Sequence, residues 1–354
     1  MTSPTPRLLS DFAQNRYLTY PHANGFADGG KSILLGQLDE TTISIWKIDL
    51  ATGAENQLCS FALEPEPEKL IWFDVALKSN QLAFIAEHSV WLMEIAKPES
   101  LRRLYRAPEG QTLSSLCSVT EDGKTVLCGL KTPEIYAALR VNTASGHGEI
   151  VFLHTWYANH FHFCPHDESW IGYCHEGPTE KVHDRLWAWN AMLEPRGTCL
   201  FDQTKQGLCF GHERWEFHQT ATLAIAYGVS PGGPRGLYEA FPDGRPPRLV
   251  SEGDRDFHCG ISRDGRWAAV DTTGPHDAPG KGWENASDIS DVLLVDMHTG
   301  ARHFLARSRQ YMRHPRHPHP TFNLDGSAIF YNESSPDTTR NRVWMVANPG
   351  WTKG

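Results

Sequence analysis

The chain has no C-x-x-C pair among its eight cysteines, no run of about 18 apolar residues and no excess of basic residues. Each absence excludes a class of protein. Scattered cysteines fit reduced, mostly buried thiols rather than a disulfide framework or a zinc knuckle. Without a long apolar run there is no expected membrane partner, and the first thirty residues show no basic stretch leading into an apolar one, so the expected location is the cytoplasm. A net charge of −9 argues against a nucleic-acid partner, which usually demands a basic face. It leaves a small anionic ligand open, because local charge decides that case.

What is abundant points to strands. The 354 residues include 12 tryptophans and 30 glycines, suited to pleated surfaces and tight turns. A pattern of apolar strand, x-D-G-x turn, second strand and a third strand ending near W or D-x-x-T-G recurs with a period of about 45 residues. The turns run through FADGGKSILL (26–35), ALKSNQLAFI (76–85), VTEDGKTVLC (119–128), CPHDESWIGY (164–173), FHQTATLAIA (217–226), SRDGRWAAVD (262–271) and NLDGSAIFYN (323–332). Seven units of short strands, none able to bury both faces alone, predict an all-β, seven-bladed β-propeller. As one domain over 1–354, its blades are expected at roughly 20–60, 69–106, 113–155, 158–205, 210–251, 256–306 and 317–348.

The repeat supplies a register. Six residues ahead of the turn aspartate or its equivalent stand His160, His212, His258 and His319 in four consecutive units. Blades 2 and 3 have apolar residues there. RHPRHPHP, residues 313–320, adds His314 and His317, and alternation would put His317 and His319 on one face of an extended segment. With His258, these form a possible set of four nitrogen ligands for Mn, Fe, Ni, Zn or Cu, against the blander alternative of a basic surface loop. A second cluster, YCHEGPTEKVHDRLWAWN (173–190), offers His175, Glu176 and Arg185, the arginine opening a strand from which it can meet a carboxylate, or else pair with Asp184 or Glu180. Gly228-Val229-Ser230-Pro231-Gly232 matches the G-x-S-x-G of hydrolases. That elbow uses the N–H of the residue after serine, and proline has none.

The ordered motifs HFHFCPHDESWIGYCHEGP, RLW, GHERW, FHCGISRDG and HPHPTFNLDG, with IWKIDLATGAENQL in the first blade, resemble the oligogalacturonate lyases, seven-bladed propellers that degrade pectate fragments. The resemblance implies a carbon–oxygen lyase that β-eliminates short oligogalacturonides to 4,5-unsaturated uronates, with a divalent metal, Mn2+ in the family. Its metal ligands fall on His258, His317 and His319. Where the family has glutamine this chain has His314, and an all-imidazole set admits Zn, Ni or Fe. The family's general base falls on His212 and its catalytic arginine on Arg185. His160, His175 and Glu176 are the expected substrate contacts. Thr179 stands where a tryptophan follows CHEGP in the family. Two other readings fit the repeat: a non-catalytic TolB-like propeller that binds protein partners, and a lyase of the same mechanism acting on another uronate.

Overall fold

The computed structural model describes residues 4–63, 70–284 and 286–352. The protein is an all-β, seven-bladed propeller, as the repeat predicts. By internal packing the chain divides into two compact units, Leu18–Glu176 and Met1–Tyr17 with Gly177–Gly354. The first holds blade 1 (Phe26–Ala27, Ser32–Leu38, Thr42–Asp49, Glu55–Ala62), blade 2 (Phe73–Ala76, Gln81–Ala86, Ser89–Glu94, Lys97–Arg106) and blade 3 (Thr112–Val119, Thr125–Lys131, Tyr136–Asn142, Gly148–His154). It ends with the hairpin Ala158–Phe163 and Trp170–His175 that begins blade 4.

The second unit holds the hairpin Leu186–Asn190 and Glu194–Cys199, followed by blades 5 and 6. Blade 5 is Phe210–Trp215, Thr222–Ala226, Gly236–Ala240 and Arg248–Glu252; blade 6 is Asp256–Ile261, Trp267–Thr272, Ile289–Asp296 and Arg302–Arg309. In blade 7, Thr321–Phe322, Ala328–Ser334 and Asn341–Ala347 are completed by Arg7–Ser10 from the N-terminal end, which pairs antiparallel with Asn341–Ala347. The expected start of blade 2 at residue 69 lies outside the described residues. The HPHP segment lies ahead of the first strand of blade 7 rather than within it.

Turn chemistry explains the period. In the x-D-G-x turns, Asp122 accepts from the Thr120 hydroxyl at 2.9 Å and Asp264 from Ser262 at 2.6 Å, and the following Gly123 and Gly265 take the left-handed φ of 74° and 71° that favours glycine. In the D-x-x-T-G turns, Asp49 and Asp296 each accept from the N–H groups two and three residues on.

Between these turns the strands are buried on both faces. Along blade 6, Trp267, Ala269, Val292 and Leu294 pack toward blade 7, and Ala268, Val270, Leu293 and Val295 pack toward blade 5. Truncating such a leucine to alanine costs about 2–5 kcal/mol. All cysteines except Cys199 are buried, and no disulfide joins them among the described residues. None of the described helices is long and apolar enough to cross a membrane.

One buried polar group sets a pH dependence. Glu216, fully buried, faces Glu239 through Gln219, whose side-chain amide donates to both carboxylates at 2.9 and 2.7 Å, while Arg248 donates to Glu239 at 2.8 Å. Burial, then the Glu239 charge, pushes the Glu216 pKa from 4.5 up to about 8. The folded state therefore holds a proton that the unfolded state releases above pH 4.5, so this group's contribution to stability is complete below that pH and declines as pH rises through about 8. Glu216→Gln, which fixes the neutral form, is expected to raise Tm more at pH 8 than at pH 5; thermal unfolding at the two pH values measures the difference.

Candidate active site

The histidine register has a structural cause. The first strands of blades 4, 5 and 6 each break register between Asn159 and His162, Gly211 and Arg214, and Asp256 and Cys259, so His160, His212 and His258 all sit at bulges. His160, His212 and His319 share a left-handed backbone, with φ of 57°, 52° and 48°. A bulge re-aims the side chain it carries, and bulges are frequent beside active sites. The extended geometry expected for His317 to His319 is interrupted by the left-handed backbone of His319, although the two rings still lie near parallel with centres 5.5 Å apart.

In the second unit, one carboxylate organises the corner of blades 6 and 7. Asp271, fully buried, lies across the hairpin from the bulge at His258. It accepts from the backbone N–H of His258 at 2.6 Å and of His319 at 3.0 Å, and both its oxygens lie 3.0 Å from His258 Nδ1. Burial raises the Asp271 pKa to about 6, opposed by those N–H donors and by His317. A carboxylate there calls for a proton on Nδ1, which leaves the Nε2 lone pair of His258 available. The Asn332 amide donates to the His317 carbonyl at 3.1 Å, and its backbone N–H donates to the Pro318 carbonyl at 2.8 Å, pinning the HPHP turn.

Four imidazoles converge at this corner. Ring centres lie 4.3 Å apart for His258 and His319, 5.0 Å for His258 and His317, 6.5 Å for His258 and His314, 4.9 Å for His314 and His317, and 5.1 Å for His314 and His319. Burial, then the neighbouring imidazoles, pushes His258, His317 and His319 well below the usual histidine pKa, so they stand as neutral donors. His258 Nε2 and His317 Nδ1 are buried with no hydrogen-bond partner among the described residues. Unsatisfied buried ring nitrogens are costly unless something accepts their lone pairs. Imidazole ligates at about 2.0–2.1 Å, which puts neighbouring ring centres at roughly 5 Å around one ion. The ring-centre spacings at this corner are those expected around one ion.

His212 borders this group, its ring centre 3.8 Å from that of His258. Its Nδ1 lies 2.5 Å from the Phe257 carbonyl and 3.0 Å from the Tyr227 hydroxyl. A carbonyl only accepts, so Nδ1 carries the proton and Nε2 is the free base. Burial and then the neighbouring His258 imidazole, which disfavours a second proton in the pair, hold His212 well below the normal histidine pKa, with Arg185 acting in the same direction. Arg185 is buried ahead of the strand it was expected to open, its backbone N–H held by the Gln203 side chain at 3.2 Å.

In the first unit, His160 Nε2 lies 3.5 Å from Glu176, and His175 packs on Trp156 with ring centres 4.3 Å apart. Ser230 is buried, and its hydroxyl accepts from the Cys209 N–H at 2.8 Å, which is a structural role. The sequence reading omitted Asp271, Tyr227 and Asn332. A usable signal for Asp271 was a carboxylate closing the apolar run WAAV, opposite a histidine across a countable hairpin.

No protein family model matches the chain. An oligogalacturonide lyase of Pectobacterium atrosepticum is 22% identical over 226 residues, 60% of this chain and 57% of that protein, so the chain spans under two thirds of the length of this curated relative. The fold is similar to an oligogalacturonate lyase from Vibrio parahaemolyticus (TM-score 0.82, 16% identity, covering 98% of this chain and 94% of the other). It is similar also to an oligogalacturonate lyase in complex with manganese (TM-score 0.79, 18% identity, covering 99% of each chain).

Proposed function

We propose that this chain is a metal-dependent lyase that cleaves short oligogalacturonides by β-elimination, the reading that best joins its site to the proteins it resembles. The observation that carries it is the corner where His258, oriented by Asp271, meets three more imidazoles, with His212 as an adjacent neutral base. His258, His314, His317 and His319 would hold the ion. When bound, a divalent ion supplies Lewis-acid neutralisation of a substrate carboxylate.

The remaining chemistry belongs to the side chains. In a uronide the proton on carbon 5 is α to a carboxylate and weakly acidic while that charge stands. Arg185 adds positive charge where the enolate-like charge develops. His212 Nε2 takes the proton; its Nδ1–H, fixed on the Phe257 carbonyl, keeps the ring in the tautomer that can do so. The C5–H electron pair becomes the C4=C5 bond and the C4–O bond breaks with its pair on oxygen, which leaves as a hydroxyl after taking a proton from solvent, while His212 returns its proton to solvent. No water is consumed, so no pair of glycosidase carboxylates is needed. His160, His175 and Glu176 are assigned to substrate contacts, and a cytoplasmic enzyme taking small anionic fragments fits the composition. The convergence of four imidazoles on one buried corner, one of them held by Asp271, favours the lyase over a protein-docking propeller.

The test is an ultraviolet absorbance assay of unsaturated product with added Mn2+. Digalacturonate and trigalacturonate are expected to be turned over, and glucuronate oligomers far more slowly. Product from the glucuronate series alone would assign another uronate, and product from neither would remove the lyase reading.

A further inference from the structure

The hairpin of the first unit holds a second set of ligand atoms, chemically unlike the four imidazoles. Cys174 and Glu176 are two residues apart, Cys174 within the strand and Glu176 just beyond its end, so alternation turns both to one face. Asn159 pairs with Cys174 across the hairpin, and the bulge that follows turns His160 to the same place. Cys174 Sγ lies 3.2 Å from Glu176 Oε1, His160 Nε2 lies 3.5 Å from that same oxygen, and one ligand atom from each residue falls within 4.8 Å of the others. His160 and Cys174 are buried and Glu176 keeps 17% of its side chain exposed, which leaves an approach from solvent.

From this geometry we infer that His160, Cys174 and Glu176 form a second metal site, selective for zinc-like ions and distinct in ligand type from the histidine corner. Zinc binds sulfur at about 2.3 Å and nitrogen or carboxylate oxygen at about 2.0–2.2 Å. Tetrahedral placement at those lengths separates ligand atoms by roughly 3.2–3.8 Å, the range of both measured contacts. A thiolate in the set selects Zn2+ or Co2+ over the hard Mn2+. Three protein ligands leave the fourth position for water or a substrate oxygen, as in catalytic rather than structural zinc sites. Binding proceeds by loss of the Cys174 thiol proton to solvent as the sulfur–metal bond forms.

Cobalt(II) distinguishes the two sites, because only a thiolate ligand gives a sulfur-to-cobalt charge-transfer band in the near ultraviolet. The full chain, stripped with a chelator and titrated with Co2+, is expected to show this band and to bind two ions. Cys174→Ser should lose the band and one of the two ions; His317→Ala should keep the band. Glu176→Gln, which retains the thiol, should keep the band at saturation but weaken its titration by about tenfold or more, since even an outer-sphere partner is worth that much. The inference is overturned if the wild-type chain gives no band, if the band survives Cys174→Ser, or if His317→Ala removes it. None of these readouts depends on lyase activity.

Discussion

His212→Ala is expected to lower the turnover of digalacturonate by about 10²–10⁴-fold, the usual worth of a positioned general base, with metal content unchanged. The expectation rests on how the ring is held. Its Nδ1 is committed to the Phe257 carbonyl at 2.5 Å and the Tyr227 hydroxyl at 3.0 Å, so the only nitrogen left to accept a proton is Nε2. Burial and the neighbouring His258 keep that nitrogen unprotonated. Because His212 lies outside the proposed ligand set, the variant separates proton abstraction from ion binding. Initial rates of unsaturated product and elemental analysis of the same preparation give both numbers. Tyr227→Phe serves as the companion, since it keeps the Phe257 anchor and removes one Nδ1 contact; its effect should be far smaller. Retained turnover in His212→Ala would move the base to another residue, His160 or His175 first.

The propeller was readable because its turns carry their own chemistry. Asp and Gly at fixed offsets report a left-handed glycine and a side chain accepting from the backbone, and these need no tertiary information. The alignment of His160, His212, His258 and His319 was readable for the same reason, being a count from those turns. The bulges that give the alignment its geometric meaning were not, because a register break leaves no residue type behind. Arg7–Ser10 was missed as the outer strand of blade 7: four residues without a turn signal gain their partner only from a segment over 300 residues away, Arg7 pairing with Met345. Asp271 and Asn332 were hidden differently. Each looks like the polar end of a buried strand, and its role appears only when the facing backbone, at His319 for one and His317 for the other, is brought alongside.

The histidine corner should lose its ion in a graded way. Purified wild-type chain is expected to carry about one transition metal per chain at this corner, over and above any zinc-like ion on Cys174. His317→Ala removes a proposed ligand and should abolish retention there together with turnover, since the substrate carboxylate would then keep its charge. Asp271→Asn leaves every proposed ligand in place and is the more searching variant. An amide in that position can offer an N–H to His258 Nδ1, which favours the tautomer with its proton on Nε2 and occupies the lone pair that should face the ion. Loss of such an orienting partner costs about 10–100-fold in metal affinity. Competition with a chelator should show that weakening, and excess Mn2+ should restore much of the turnover to Asp271→Asn but not to His317→Ala. Asp271 also accepts from the backbone N–H of His258 and His319, so the substitution acts on that segment of backbone as well as on the tautomer. The rescue separates the two causes: a mis-set tautomer is overcome by mass action on the ion, whereas a displaced His319 leaves the ligand set incomplete at any Mn2+ concentration. Full affinity in Asp271→Asn would show that His258 is oriented by its packing alone.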